Sequence, residues 1–158
     1  MRDESTKQAA QEFLATKLAE EGQKHEEKLN QQTAVARSLH VWKQFKDSIF
    51  AQCNEWNAVT QEETLTCKET SLGDLRIWCA ATSKHINVHY DSKLLTVTIK
   101  NAARPDLAKD AILTINGYAT NSGARDARLV RNNEPVDVPM LILAELRLLT
   151  GIGAQRSA

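Results

Sequence analysis

Three prolines and three cysteines leave this 158-residue chain with few fixed bends and no covalent scaffold. No proline precedes Pro105, so nothing upstream breaks a helix by removing its backbone donor. Cys53, Cys67 and Cys79 form an odd set without CxxC spacing. That excludes a familiar disulfide framework and points to a reducing, cytoplasmic setting, with each thiol a small buried hydrophobe. Charge of one sign is also missing: twenty Lys and Arg balance twenty Asp and Glu. Without a long-range field, neither nucleic acid nor an anionic membrane is the expected partner. The longest apolar stretch is interrupted by Glu145 and Arg147, well short of the ~20 residues a membrane span needs. The first thirty residues hold no apolar core of signal-peptide type.

Signatures of chemistry are equally scarce. GxxxxGK[ST], GxGxxG, GxSxG and HExxH are all absent, which weakens nucleotide, hydrolase and zinc-protease readings. Gly151-Ile152-Gly153 follows a helical pattern instead of opening one, so it cannot cradle a phosphate. Glu145 is the one carboxylate inside an apolar segment, and neighbouring Arg147 makes it the expected wet edge of a helix. No catalytic residue, cofactor or metal ligand is assigned.

What the chain does have is helix-forming composition at its start. Ala, Glu, Lys and Gln dominate residues 1–33, and between Glu20 and Thr33 the sole apolar side chain is Leu29. Ala10, Phe13, Leu14 and Leu18 make a short stripe that fails beyond Gly22. Such a segment is helical by propensity with little to bury. From Ala34 a second stripe runs through Val35, Leu39, Trp42, Lys46, Ile49, Cys53 and Trp56, widened by Phe45 and Phe50. It spans about 33 Å of helix, ending near Asn57. A sheet of the same chain or a coiled-coil partner would each cover it, and bulky Trp42 and Trp56 fit the sheet better.

The period then changes to two. Leu75, Ile77 and Cys79 alternate with polar neighbours, as do Ile86, Val88 and Tyr90, then Leu95, Val97 and Ile99. If all three apolar rows face one core, Val88 lies beside Leu95, Ile86 beside Val97, and Cys79 beside Ile86, with even-numbered loops between. An edge strand around 63–68, a strand over 111–115 with a turn at Asn116-Gly117, and a short strand over 127–131 complete the sheet. Asp137, Pro139 and Gly151 bracket a Leu-rich helix over 140–149.

The expected fold class is α+β: a long N-terminal helix or helices, an antiparallel five- to six-stranded meander, and a short buried C-terminal helix. Residues 1–33 read as a helical arm, weakly packed or an oligomer contact, 34–152 as a single α+β domain, and 153–158 as a flexible tail. The expected function is a non-enzymatic protein-interaction or oligomerisation module, with a homo-oligomer or protein partner bound through the N-terminal helix. The alternative is a small-molecule or anion-binding domain that uses an exposed sheet face.

Two groups of residues are candidate contacts. Arg76, Trp78, His85, Asn87 and His89 share the polar side of the meander, with Arg76 expected beside His89, Trp78 beside Asn87, and Asn87 beside Thr96. His85 and His89 have the spacing of a helical metal pair, but on a strand four residues cover about 13 Å, too far for one ion. Arg125, Arg128 and Arg131 concentrate positive charge around Asp126 and suit an anion contact, or else an edge strand whose charges discourage pairing.

Overall fold

The computed structural model describes residues 2–105 and 110–152, so the expected tail at 153–158 lies outside the described residues. A single helix, α1 (Arg2–Thr60), comes first. Seven strands follow: β1 (Leu65–Ser71), β2 (Asp74–Cys79), β3 (Lys84–Asp91), β4 (Thr96–Asn101), β5 (Ala111–Ala119), β6 (Arg125–Arg131) and β7 (Glu134–Pro135). Helix α2 (Val138–Thr150) closes the chain. Every strand pairs antiparallel with its sequence neighbour, giving an uninterrupted meander in the order β1 to β7. The class is α+β, with one or two strands more than expected.

Alternation along the strands explains the layering. Leu75, Ile77, Cys79, Ile86, Val88, Val97, Ile99, Leu113 and Ile115 are buried on one face. α1 lies across β5 and β6 and reaches β1, and α2 packs on α1, β3 and β4. Burial of one such aliphatic side chain contributes about 1.5–3 kcal/mol. The opposite face carries no second layer among the described residues.

Four expectations need correction. The buried stripe of α1 runs through Ala34, Ser38, Val41, Trp42, Phe45, Ile49 and Cys53, whereas Val35 and Leu39 are 58% and 54% exposed. Small Ala34 and Ser38 let the helix approach the sheet, and the larger residues turn aside. At Asn116-Gly117 there is no turn: β5 continues to Ala119, with Gly117 paired to Ala127. A Cβ on Gly117 would lie 2.3 Å from the Asn30 carbonyl oxygen, so this glycine serves close helix–sheet approach.

Register also differs. Val88 lies beside Ile99, Ile86 beside Asn101 and Cys79 beside Lys84. Parity survives and the loops stay even, but the β2–β3 pairing slides toward its turn, leaving four residues between Cys79 and Lys84, while the β3–β4 pairing slides away from its turn, leaving ten between Val88 and Ile99. The Asp91 carboxylate accepts the Lys93 and Leu94 amides. Leu95 adopts a positive φ of 55° and folds back, buried, outside β4. Finally, α1 ends at Thr60, not near Asn57, because the Asn57 amide pairs with both backbone groups of Leu65 while the helix continues past it.

α2 begins where its cap residues indicate. Asp137 accepts the Met140 amide, Pro139 lies in the first turn, and Gly151 at φ 84° ends the helix.

Candidate functional site

α1 crosses Thr33 without interruption, and every side chain from Glu4 to Lys28 is exposed. Between Lys7 and His25 every side chain faces solvent along about 28 Å of helix at 1.5 Å per residue. Phe13, Leu14 and Leu18 are 72%, 54% and 58% exposed. Contact with the body begins at Glu26. The Arg125 guanidinium donates to Glu26 and to Asn30, each at 2.7 Å, directly above the close approach at Gly117. Further along, Arg37 donates to Asp126 at 3.3 Å and Lys46 to Glu69 at 2.9 Å. Trp42 stacks on Tyr90, whose hydroxyl lies 2.7 Å from Ser38 Oγ. The docked half is thereby fixed in direction, and it carries the exposed half out from the body like a strut.

The open sheet face is the second candidate. Arg76, Trp78, His85, Asn87 and His89 do lie on one face, but with different neighbours from those expected. Arg76 pairs across the strands with Asn87, Trp78 with His85, and His89 with Asp74; Asn87 lies beside Lys100, not Thr96. Most of these residues satisfy one another. Arg76 donates to Asn87 Oδ1 at 3.0 Å, His89 Nδ1 lies 2.7 Å from Asp74, and the Trp78 and His85 rings stack at 6.3 Å. The Ser71 hydroxyl and then His89 hold the Asp74 carboxyl below the usual aspartate range.

Sequence reasoning missed two members of this face. Lys68 sits opposite Arg76, and Lys100 lies on the far side of Asn87. One cross-strand row therefore reads Lys68, Arg76, Asn87, Lys100: three cations and no carboxylate. Beside it is a shallow groove of about 500 Å3, lined in part by Arg76, His89, Thr98 and Lys100. Strand alternation puts Lys68 and Lys100 on the outward side, and the register brings them into one row.

The three arginines of β6 do not form a cluster. Arg125 is spent on α1, Arg128 lies 4.1 Å over the Tyr118 ring, and Arg131 is exposed near the strand end.

Glu145 does not mark a wet edge. Its side chain is only 12% exposed, and both carboxylate oxygens accept from Arg104, with Asn101 adding a third bond. This clasp ties α2 to the end of β4. Cys53 and Cys67 are neighbouring free thiols between α1 and β1; the contact with Cys53 and then burial push the Cys67 thiol up, and the same contact draws the Cys53 thiol down.

Among the described residues, no helix is long and apolar enough to cross a membrane. No family model, curated protein or solved structure matches the chain.

Proposed function

We propose that the chain is a protein-interaction module whose sheet body anchors and aims a helical arm. The observation that carries this reading is the exposed apolar group Phe13, Leu14 and Leu18 on the stretch of α1 that projects beyond the body. A helix with nothing to pack against gains stability from propensity alone, and apolar residues on it add stability only when another chain covers them. The Arg125 clamp and the tight Gly117 contact favour a fixed exit direction, which lowers the ordering cost of docking. A reducing, cytoplasmic location agrees with the neighbouring free thiols Cys53 and Cys67.

Size-exclusion chromatography with light scattering tests the proposal, comparing the full chain with one that begins at Thr33. The full chain should form a larger species, or capture a stoichiometric partner from cell extract, and the shortened chain should do neither. Monomers in both cases, with no arm-dependent capture, would overturn it.

A second reading rests on the row Lys68, Arg76, Asn87, Lys100. Like charges facing each other across strands are destabilising, so an anion seated on the row would relieve repulsion. Thermal shift with inorganic phosphate and small carboxylates tests this. A rise in melting temperature that is lost in Arg76→Gln or Trp78→Ala supports it, and no rise with any anion removes it.

A further inference from the structure

We infer that the partner of α1 is a second copy of the same chain, with the two helices antiparallel and their symmetry axis between Glu26 and Glu27. This inference rests on the reading of α1 as an interaction element, and it names the partner.

Besides the exposed apolar residues of the arm, α1 leaves three more on its docked half, Val35 and Leu39 near its start and Val59 at its far end. Leu14 and Leu18 are 54% and 58% exposed; Val35 and Leu39 are 58% and 54% exposed. Between Leu14 and Leu39 the steps alternate four and three, through Glu21, His25, Lys28 and Gln32. That is an a/d seam of a coiled coil, apolar at both ends and polar in the middle. It is distinct from the face that packs on the sheet through Ala34, Ser38, Trp42 and Phe45.

The spacing is symmetric about its centre. Reversing one copy places Leu14 on Leu39 of the second copy, Leu18 on Val35, Glu21 on Gln32 and His25 on Lys28. Each of these four pairings occurs twice around a two-fold axis, as an isologous contact demands. All four join an a position to a d position, the geometry of an antiparallel coil, and the seam is about 38 Å long.

Charge selects this direction over the parallel one. In a parallel, in-register pair, Glu21 would meet Glu21 and Lys28 would meet Lys28. Antiparallel, Glu21 faces a neutral glutamine one turn from Lys28 of the other copy, so opposite charges approach twice. Gly22 gains a role as well. It has nothing within 4 Å in its own chain, and in the paired state it flanks the seam opposite Leu29 of the second copy. A glycine there leaves room for that leucine.

Sedimentation or light scattering of the full chain over a range of concentrations should show a reversible dimer. Leu18→Glu buries a charge against Val35 of the other copy and should weaken dimerisation by tenfold or more, with the circular dichroism of the body unchanged. Disulfide trapping reads the direction. In a Cys67→Ser background, Leu18→Cys combined with Val35→Cys should give a covalent dimer on oxidation, and neither cysteine alone should. Within one chain those positions are about 25 Å apart along the helix, so they cannot close on each other. Efficient linkage by Leu18→Cys alone would mean a parallel pair and overturn the proposal, as would a full chain that stays monomeric at every concentration. A monomer that still captures a different protein through the arm would sink this inference and leave the broader reading standing.

Discussion

From Glu26 to Thr60 helix α1 is held against the body, and from Lys7 to His25 the same helix is exposed on every side. In the docked half Trp42, Phe45, Ile49 and Cys53 are each no more than 3% exposed, and polar contacts to Glu69, Tyr90 and Asp126 fix its rotation. The arm meets the body at its base, through Arg125. Its helicity rests on Ala, Glu, Lys and Gln, each favourable by fractions of a kcal/mol. The difference separates two sources of helical order in one unbroken element. Packing dictates which side chains the docked half uses; composition alone sustains the arm, so its apolar residues are free to serve a partner.

The comparison breaks most visibly at Phe45. Phe45→Ala should cost about 3–5 kcal/mol, the range for removing a buried aromatic, and urea denaturation should show a much lower midpoint. Leu14→Ala, a similar truncation on the arm, should change the body's stability by less than about 0.5 kcal/mol when both are measured on the monomer at high dilution. Equal losses at the two sites would mean that the arm folds back on the body.

Gly117 tests the boundary between the halves. An added methyl would meet the Asn30 carbonyl at 2.3 Å and two more Asn30 backbone atoms at 3.0 Å. Backbone cannot yield as a flexible side chain does, so Gly117→Ala should cost about 1–3 kcal/mol, as overpacking does. It should also loosen the Arg125 clamp, seen as faster amide exchange around Asn30.

How far the sequence foretold this architecture follows from the same contrast. Strict alternation over Leu75–Lys100 revealed strands, their count in that region and the outward side of Arg76, Trp78, His85, Asn87 and His89, because period two has one structural meaning. Asp137, Pro139 and Gly151 bounded α2 for similarly local reasons. Register was not legible, since parity is unchanged by a two-residue slide and the deciding feature was an Asp91 turn that drew Leu95 out of β4. Hence the cation row with Lys68 and Lys100 stayed hidden. Ala34 and Ser38 misled by being small and Gly117 by following Asn116, a pair that reads as a turn; together the three mark where helix meets sheet. Glu145 misled because its partner, Arg104, is distant in sequence and near only after folding.

A smaller effect should appear at Gly22. Its surroundings are open, so Gly22→Ala should raise arm helicity through a gain of about 1 kcal/mol in local propensity, measured by circular dichroism at high dilution. The denaturation midpoint of the body should not move. If it did, the arm and the body would be one cooperative unit.

The finest probe of the docked half is Asp126, which ties β6 to α1. The Ala127 amide first, and then Arg37, hold its carboxyl below the ordinary aspartate range. A depressed carboxylate stabilises the fold above its unfolded pKa, and the contribution fades as pH falls through the folded value. The contact should therefore persist at neutral pH and be lost only in acid, below the pH at which an unfolded aspartate titrates. Both Arg37 and Asp126 side chains are 42% exposed, so solvent screening keeps the stability change small. An NMR titration of Asp126 should give a midpoint below that of a free aspartate. Arg37→Gln should raise it only part of the way, because the larger cause lies in the adjacent backbone amide and not in the helix. Full return to the free value would reassign the effect to Arg37 and make this ion pair, not the strand's own geometry, the anchor that orients α1.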